Sequence, residues 1–103
     1  MTRAEILDKA KEIVTKDRNT QYGEPEDNFD VIAAFWDTYL GIDYLTAVDV
    51  ANMMVLFKIA RNVTNETKID TFIDIAGYAA CGGEIATRGE LNGKTDDNKT
   101  ERE

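Results

Sequence analysis

From Ala47 to Ala60 nearly every residue is apolar, among them Met53, Met54, Val55, Leu56 and Phe57, and this stretch narrows the choice of fold more than any other part of the chain. A surface helix carries its apolar residues on one stripe, and one stripe does not account for this pattern. Thr46-Ala47-Val48-Asp49 opens the stretch as a capping box with Asp49 in place of the usual glutamate. The reading is a helix that occupies the centre of the fold or buries a second face in an oligomer.

Three more helices are predicted around it. Thr2-Arg3-Ala4-Glu5 is another capping box, followed by Ile6, Leu7, Ala10, Ile13 and Val14 at helical spacing, so the first helix covers about residues 3–16. Residues 16–25 have no apolar periodicity and read as a loop. Pro25, suited to a first helical turn, starts the second helix, and Glu26 and Asp27 favour its positive end. Its apolar face is Phe29, Ile32, Ala33, Trp36 and Leu40, and Gly41 ends it. The last helix spans about residues 69–87 on Ile69, Phe72, Ile73, Ala76 and Ala80. Its run from Ala76 to Gly83 is small, and each glycine costs about 1 kcal/mol against alanine, a cost that close approach of another helix would offset. The expected organisation is one helical domain over residues 1–88 and a disordered polar tail over 89–103.

Composition then excludes whole classes of chemistry. The chain has no histidine and one cysteine, Cys81, so the common zinc ligand sets, an intrachain disulfide and Ser-His or Cys-His nucleophilic pairs are all ruled out. Catalysis would have to use carboxylates with a metal. A net charge of −8 repels a phosphate backbone, so a nucleic-acid duplex is not an expected partner. No apolar run reaches the roughly 18–20 residues of a membrane span, and Met1-Thr2-Arg3-Ala4-Glu5 lacks the apolar core of a signal peptide. A cytoplasmic protein is expected, with no membrane partner.

Helical spacing puts Asp70 and Asp74 on one face, and likewise Glu26 with Asp30 and Asp49 with Asn52. Brought together, such oxygens suit magnesium, which takes a few carboxylates, waters and substrate phosphates. The alternative is local: Asp49 serves its capping box, and Glu26 favours a helix N-terminus without any ligand. Asp74 lies within Phe72-Ile73-Asp74-Ile75-Ala76, where an unpaired charge is costly to bury. Its partner is either a cation or a basic side chain such as Lys58 or Arg61. Arg18, Gln21 and Tyr22 offer a fork for phosphate, an amide for base or ribose edges and an aromatic face, although the same segment also reads as an ordinary turn. Phe29, Trp36 and Phe57 read as core, and Cys81 as a packing residue.

The segments Asp17-Arg18-Asn19-Thr20-Gln21-Tyr22-Gly23-Glu24-Pro25-Glu26-Asp27-Asn28-Phe29, Thr46-Ala47-Val48-Asp49-Val50-Ala51-Asn52-Met53-Met54 and Lys58-Ile59-Ala60-Arg61 resemble a family of small phage and prophage proteins of unassigned function. That family is similar to the MazG-like, all-alpha nucleoside triphosphate pyrophosphohydrolases, and the resemblance covers about residues 5–87. It implies an all-α four-helix MazG-like bundle completed by oligomerisation as a dimer or tetramer, in a host cytoplasm. In those enzymes one helix carries Glu-x-x-Glu and the next an acidic pair ending in Asp, together binding magnesium for attack on the alpha-beta phosphate linkage. By position these correspond to Asp49 with Asn52, and to Asp70 with Asp74. Two departures stand out: Asn52 is a neutral ligand, and Asp70 precedes Asp74 by four residues rather than three.

Two functional readings follow. The first is a magnesium-dependent hydrolase converting a nucleoside triphosphate to monophosphate and pyrophosphate, with metal at Asp49, Asn52, Asp70 and Asp74. In it Asp49 and Asp74 are catalytic and Lys58 or Arg61 contacts phosphate. The second is a non-catalytic module that binds a nucleotide or a nucleotide-derived signal through the region from Arg18 to Asn28, and the altered acidic pattern favours it. An acidic protein that blocks a host protein by its surface is a third possibility.

Overall fold

The computed structural model describes residues 1–91, the side chains of residues 17, 18 and 89–91 excepted, and every regular element among them is helical. Helix α1 (Arg3–Glu12) passes through one π-helical turn (Ile13–Asp17) straight into the short α2 (Arg18–Tyr22); then come α3 (Pro25–Leu40), α4 (Ala47–Asn62) and α5 (Ile69–Leu91). The expected tail from residue 92 onward lies outside the described residues, and α5 runs past the predicted end at residue 87 to Leu91.

Local chemistry sets these limits. Thr2 Oγ1 accepts from the Glu5 amide at 3.1 Å while Glu5 Oε1 accepts from the Thr2 amide at 2.7 Å, closing the first capping box. The second closes the same way, with the Asp49 amide donating to Thr46 Oγ1 at 3.2 Å and the Thr46 amide to Asp49 Oδ2 at 2.9 Å. Pro25 stands in the first turn of α3, and Gly41 ends that helix with φ of 72°, in the left-handed region. The connection that follows is held by Asp37, whose Oδ1 accepts from the Leu45 amide at 3.1 Å.

The expected loop over residues 16–25 is instead helical as far as Tyr22. Polarity alone does not decide this, since a polar stretch free of glycine and proline marks a solvated helix as readily as a loop. Thr15 and Thr20 hydroxyls donate back to the Lys11 and Lys16 carbonyls at 2.6 and 2.8 Å, within helical turns. The break comes at Gly23, with φ of 82°.

The core joins Phe29 and Ala33 of α3, Ala47, Val50 and Ala51 of α4, and Cys81 and Ile85 of α5, with Trp36 and Tyr78 packed against it. Cys81 is thus a packing residue and Phe29 a core aromatic. The α4–α5 contact is the most extensive in the fold, and the small residues of α5 permit it. A Cβ at Gly82 would stand 2.9 Å from the Ala51 Cβ, and one at Gly77 would stand 3.0 Å from Val14 Cγ1. The approach of α4 to Gly82 is thus closer than a side chain would allow, and that of the π-helical turn to Gly77 is tight. Only one face of α4 is covered, since Met53, Leu56, Phe57 and Ile59 on its other side remain exposed.

Candidate functional site

The face of α5 that carries Asp74, Gly77, Tyr78 and Cys81 follows the i, i+3, i+4, i+7 pattern, and it forms one wall of a cavity of about 240 Å³. Ala10, Ile13 and Val14 from α1 and the π-helical turn form the opposite wall, and α2 contributes Gln21 and Tyr22. A π-helical turn widens the winding of a helix and is frequent at functional sites. Here it lies on the cavity wall and carries the chain into α2.

Asp74 finds its partner in Lys58, with Nζ 2.9 Å from Oδ2. Of the two bases expected as partners, Arg61 is placed elsewhere, its guanidinium 4.8 Å from the centre of the Phe57 ring. Lys58 also lies 5.6 Å from that ring centre. The pair is half-buried, so Asp74 meets the cavity as a compensated carboxylate.

A second cavity, of about 200 Å³, is lined by Asn28, Phe29, Ile32 and Met54 together with Tyr22 and Tyr78. The two tyrosines are therefore walls of both spaces. The Phe29 and Tyr78 rings stand 6.2 Å apart between centroids, tilted by 32°.

Of the residues singled out from sequence, Gln21, Tyr22, Asn28 and Asp74 border these cavities, and Lys58 reaches them through Asp74. The side chain of Arg18 lies outside the described residues. Asp49, Asp70 and Asp74 do not form a ready cluster of ligands: among the described residues no three His, Cys, Asp or Glu side chains converge as a metal site. The Asp49 carboxylate accepts from the Thr46 amide, Asp74 holds Lys58, and Asn52 and Asp70 are exposed. Two of the three carboxylates proposed for magnesium thus have protein partners, Asp49 in its cap and Asp74 in an ion pair.

Tyr78 was missed, yet its signal was present, since it follows Asp74 by four residues on the same helical face. The hydrophobic floor supplied by Ile13 and Val14 had no such signal, because regular α-helical spacing does not anticipate a π-helical turn.

Arg88, near the end of α5, holds the turn that follows α2. Its guanidinium donates to Glu26 Oε1 at 2.7 Å and lies 3.6 Å from Glu24 and 3.5 Å from Glu84. The hydrogen bond to Glu26 and the charges of Glu84 and Glu26 raise its pKa above the ordinary arginine value.

No helix among the described residues is long and apolar enough to cross a membrane. Residues 5–86 match a domain family described as a domain of unknown function, DUF6378. The Gene 55 protein of Mycobacterium phage D29 is 42% identical over 76 residues, which is 74% of this chain and 50% of that protein. The Gene 55 protein of Mycobacterium phage L5 is 45% identical over 75 residues, 72% of this chain and 47% of that protein. The chain thus spans about half the length of the curated relatives it matches. No solved structure matches it.

Proposed function

We propose that this chain, which belongs to the DUF6378 family, is a nucleotide-binding module that holds its ligand in the Asp74 cavity and uses no metal ion. One observation carries the reading: Asp74, paired with Lys58, stands on the wall of a cavity that also presents Gln21, Tyr22 and Tyr78. Aromatic surface for a base, an amide for its edge and a carboxylate for hydroxyl donors are the groups a nucleoside needs. The resemblance to MazG-like enzymes supports a nucleotide as the ligand class and a divergent MazG-like bundle as the fold. Hydrolysis by the magnesium route finds no support in the arrangement, since Asp49 and Asp74 are both engaged with protein partners. The role that follows is sequestration of a nucleotide or nucleotide-derived signal in the host cytoplasm by a phage-type protein.

The apolar surface supports assembly with a second copy. On α3, Val31, Phe35 and Tyr39 recur every four residues and are all more than half exposed, and the uncovered side of α4 adds Leu56 and Ile59. Exposed apolar residues recurring along one helix face are the kind of surface a second copy would cover.

A thermal-shift screen of nucleoside mono- and triphosphates, with and without magnesium, tests the function. Binding to the folded state alone stabilises it, by about 2.7 kcal/mol at a hundredfold excess over Kd. The expected result is a nucleotide-dependent rise in Tm that magnesium does not change. A response that requires magnesium, with release of pyrophosphate from a triphosphate, would restore the hydrolase. No response to any nucleotide would leave the acidic surface, acting on a host protein, as the functional element.

A further inference from the structure

A whole nucleotide is a drug-sized ligand, and sites that bury one measure about 300–1,000 Å³. The Asp74 cavity, at about 240 Å³, takes part of such a ligand and leaves the rest outside. Its lining says which part. Ile13, Val14, Ile73 and Gly77 make much of the wall apolar, Tyr78 adds a ring, and Asp74 is the one charged side chain among the described residues that line it. A flat base with its faces against apolar side chains suits this space, whereas a phosphate would meet the carboxylate at close range and be repelled. The sugar and its phosphates therefore stay toward solvent.

Resting on the nucleotide reading above, we infer that this cavity takes the base and that Asp74 selects guanine by its Watson–Crick edge. A carboxylate only accepts, with about four lone-pair sites on its two oxygens, and Lys58 Nζ stands against one oxygen, Oδ2. The ligand edge that faces the carboxylate must then carry donors side by side, as the arginine fork does. Guanine presents its N1–H next to its exocyclic amine and meets that demand. Adenine and cytosine set an amine beside a ring nitrogen that accepts, and uracil sets one N–H between two carbonyls. Each of those three turns at least one lone pair toward the carboxylate and is disfavoured. Lys58 acts as a positioning residue, holding the Asp74 carboxylate from α4 and offsetting its charge.

Calorimetry on the wild type with the 5′-monophosphates of guanosine, inosine, adenosine, cytidine and uridine, and with that of 2′-deoxyguanosine, tests the assignment. Guanosine monophosphate is expected to bind best. Inosine monophosphate, which lacks only the exocyclic amine, should bind weaker by roughly tenfold or more, the effect of one hydrogen bond to a charged group. The 2′-deoxy form should match the ribo form, because the sugar stays outside. Asp74→Asn gives a second readout. An amide presents one donor and one acceptor, so the variant should lose the preference for guanosine and gain affinity for xanthosine monophosphate, in which a carbonyl replaces that amine. A purely structural Asp74 would not reorder the bases. Equal wild-type affinity for guanosine and inosine monophosphates, or a preference for another base, overturns the guanine assignment and leaves nucleotide binding intact. A wild type that favours ribose over deoxyribose puts the carboxylate on the sugar and overturns it as well, as does an unchanged ranking in folded D74N. Should D74N fail to fold, the wild-type series decides alone. Failure of the wild type to bind any of these nucleotides overturns both this assignment and the function on which it rests.

Discussion

Lys58 Nζ lies 2.9 Å from Asp74 Oδ2, so the acid in the most apolar part of α5 is neutralised by the neighbouring helix. The contact joins α4 to α5 and supplies the partner that a carboxylate in such a sequence requires. Its environment sets its strength. The Lys58 side chain is 19% exposed and that of Asp74 36%, so solvent screens the pair more than a buried one.

A double-mutant cycle on Asp74→Asn and Lys58→Met should therefore give a coupling of about 1 kcal/mol, near the top of the range for exposed pairs and below the roughly 3–5 kcal/mol lost on breaking a buried one. Urea unfolding of the four proteins measures it. A coupling at the buried-pair level would mean that the cavity is drier than its lining suggests.

The glycines of α5 should respond in opposite directions. Gly82→Ala places a Cβ 2.9 Å from the Ala51 Cβ and is expected to destabilise by about 1–3 kcal/mol, helix propensity notwithstanding. Gly83→Ala meets open space and should stabilise by up to about 1 kcal/mol. Melting curves of the two variants check the close approach of α4 to α5.

Asp49 acts as a cap, and its loss should look like the loss of one. Thr46→Ala is expected to cost about 1 kcal/mol, with Asp49→Ala shifting stability in the same direction. Both drops should be identical with and without magnesium. Metal-dependent rescue of either would point back to a cation at the start of α4.

Assembly through the α3 stripe predicts that Phe35→Glu combined with Tyr39→Glu dissociates the protein without unfolding it, because both side chains are largely exposed in the single chain. Light scattering at micromolar concentration reads the change. A monomeric wild type would remove the assembly.

Arg88→Gln should loosen the turn at Gly23 and Glu24, seen as faster amide exchange over residues 19–28 with little change in global stability. The sign of its pH dependence follows from a pKa raised in the fold. With Glu26 and Glu84 ionised, the contribution of the guanidinium is fully present below the ordinary arginine range and is lost as pH rises through the raised value. Between neutrality and pH 10 the exchange rates, corrected for intrinsic chemistry, should not report its titration, whereas added salt should raise them.

Capping residues and apolar spacing made the helices legible: Thr2, Thr46, Pro25 and Gly41 each stand where a helix begins or ends. The need of Asp74 for a partner could also be read, with Lys58 among the choices. The α2 segment was not legible, since its residues from Arg18 to Tyr22 carry no apolar stripe and are helical only as a continuation of α1. The acids assigned to magnesium illustrate a different gap. Helical periodicity shows which residues share a face of one helix, whereas a ligand set depends on how separate helices are rotated about their axes, and among the described residues no three acidic side chains converge.

The π-helical turn makes the site depend on residue count as well as residue identity. Each residue of a regular helix advances about 100° around its axis, so removing one residue between Ile13 and Asp17 would let the rod rewind and swing everything downstream by about that angle. Gln21 and Tyr22 would then leave the cavity although neither had been altered. A chain lacking that extra residue would line this cavity with different side chains, so the length of the short segment governs what the cavity presents.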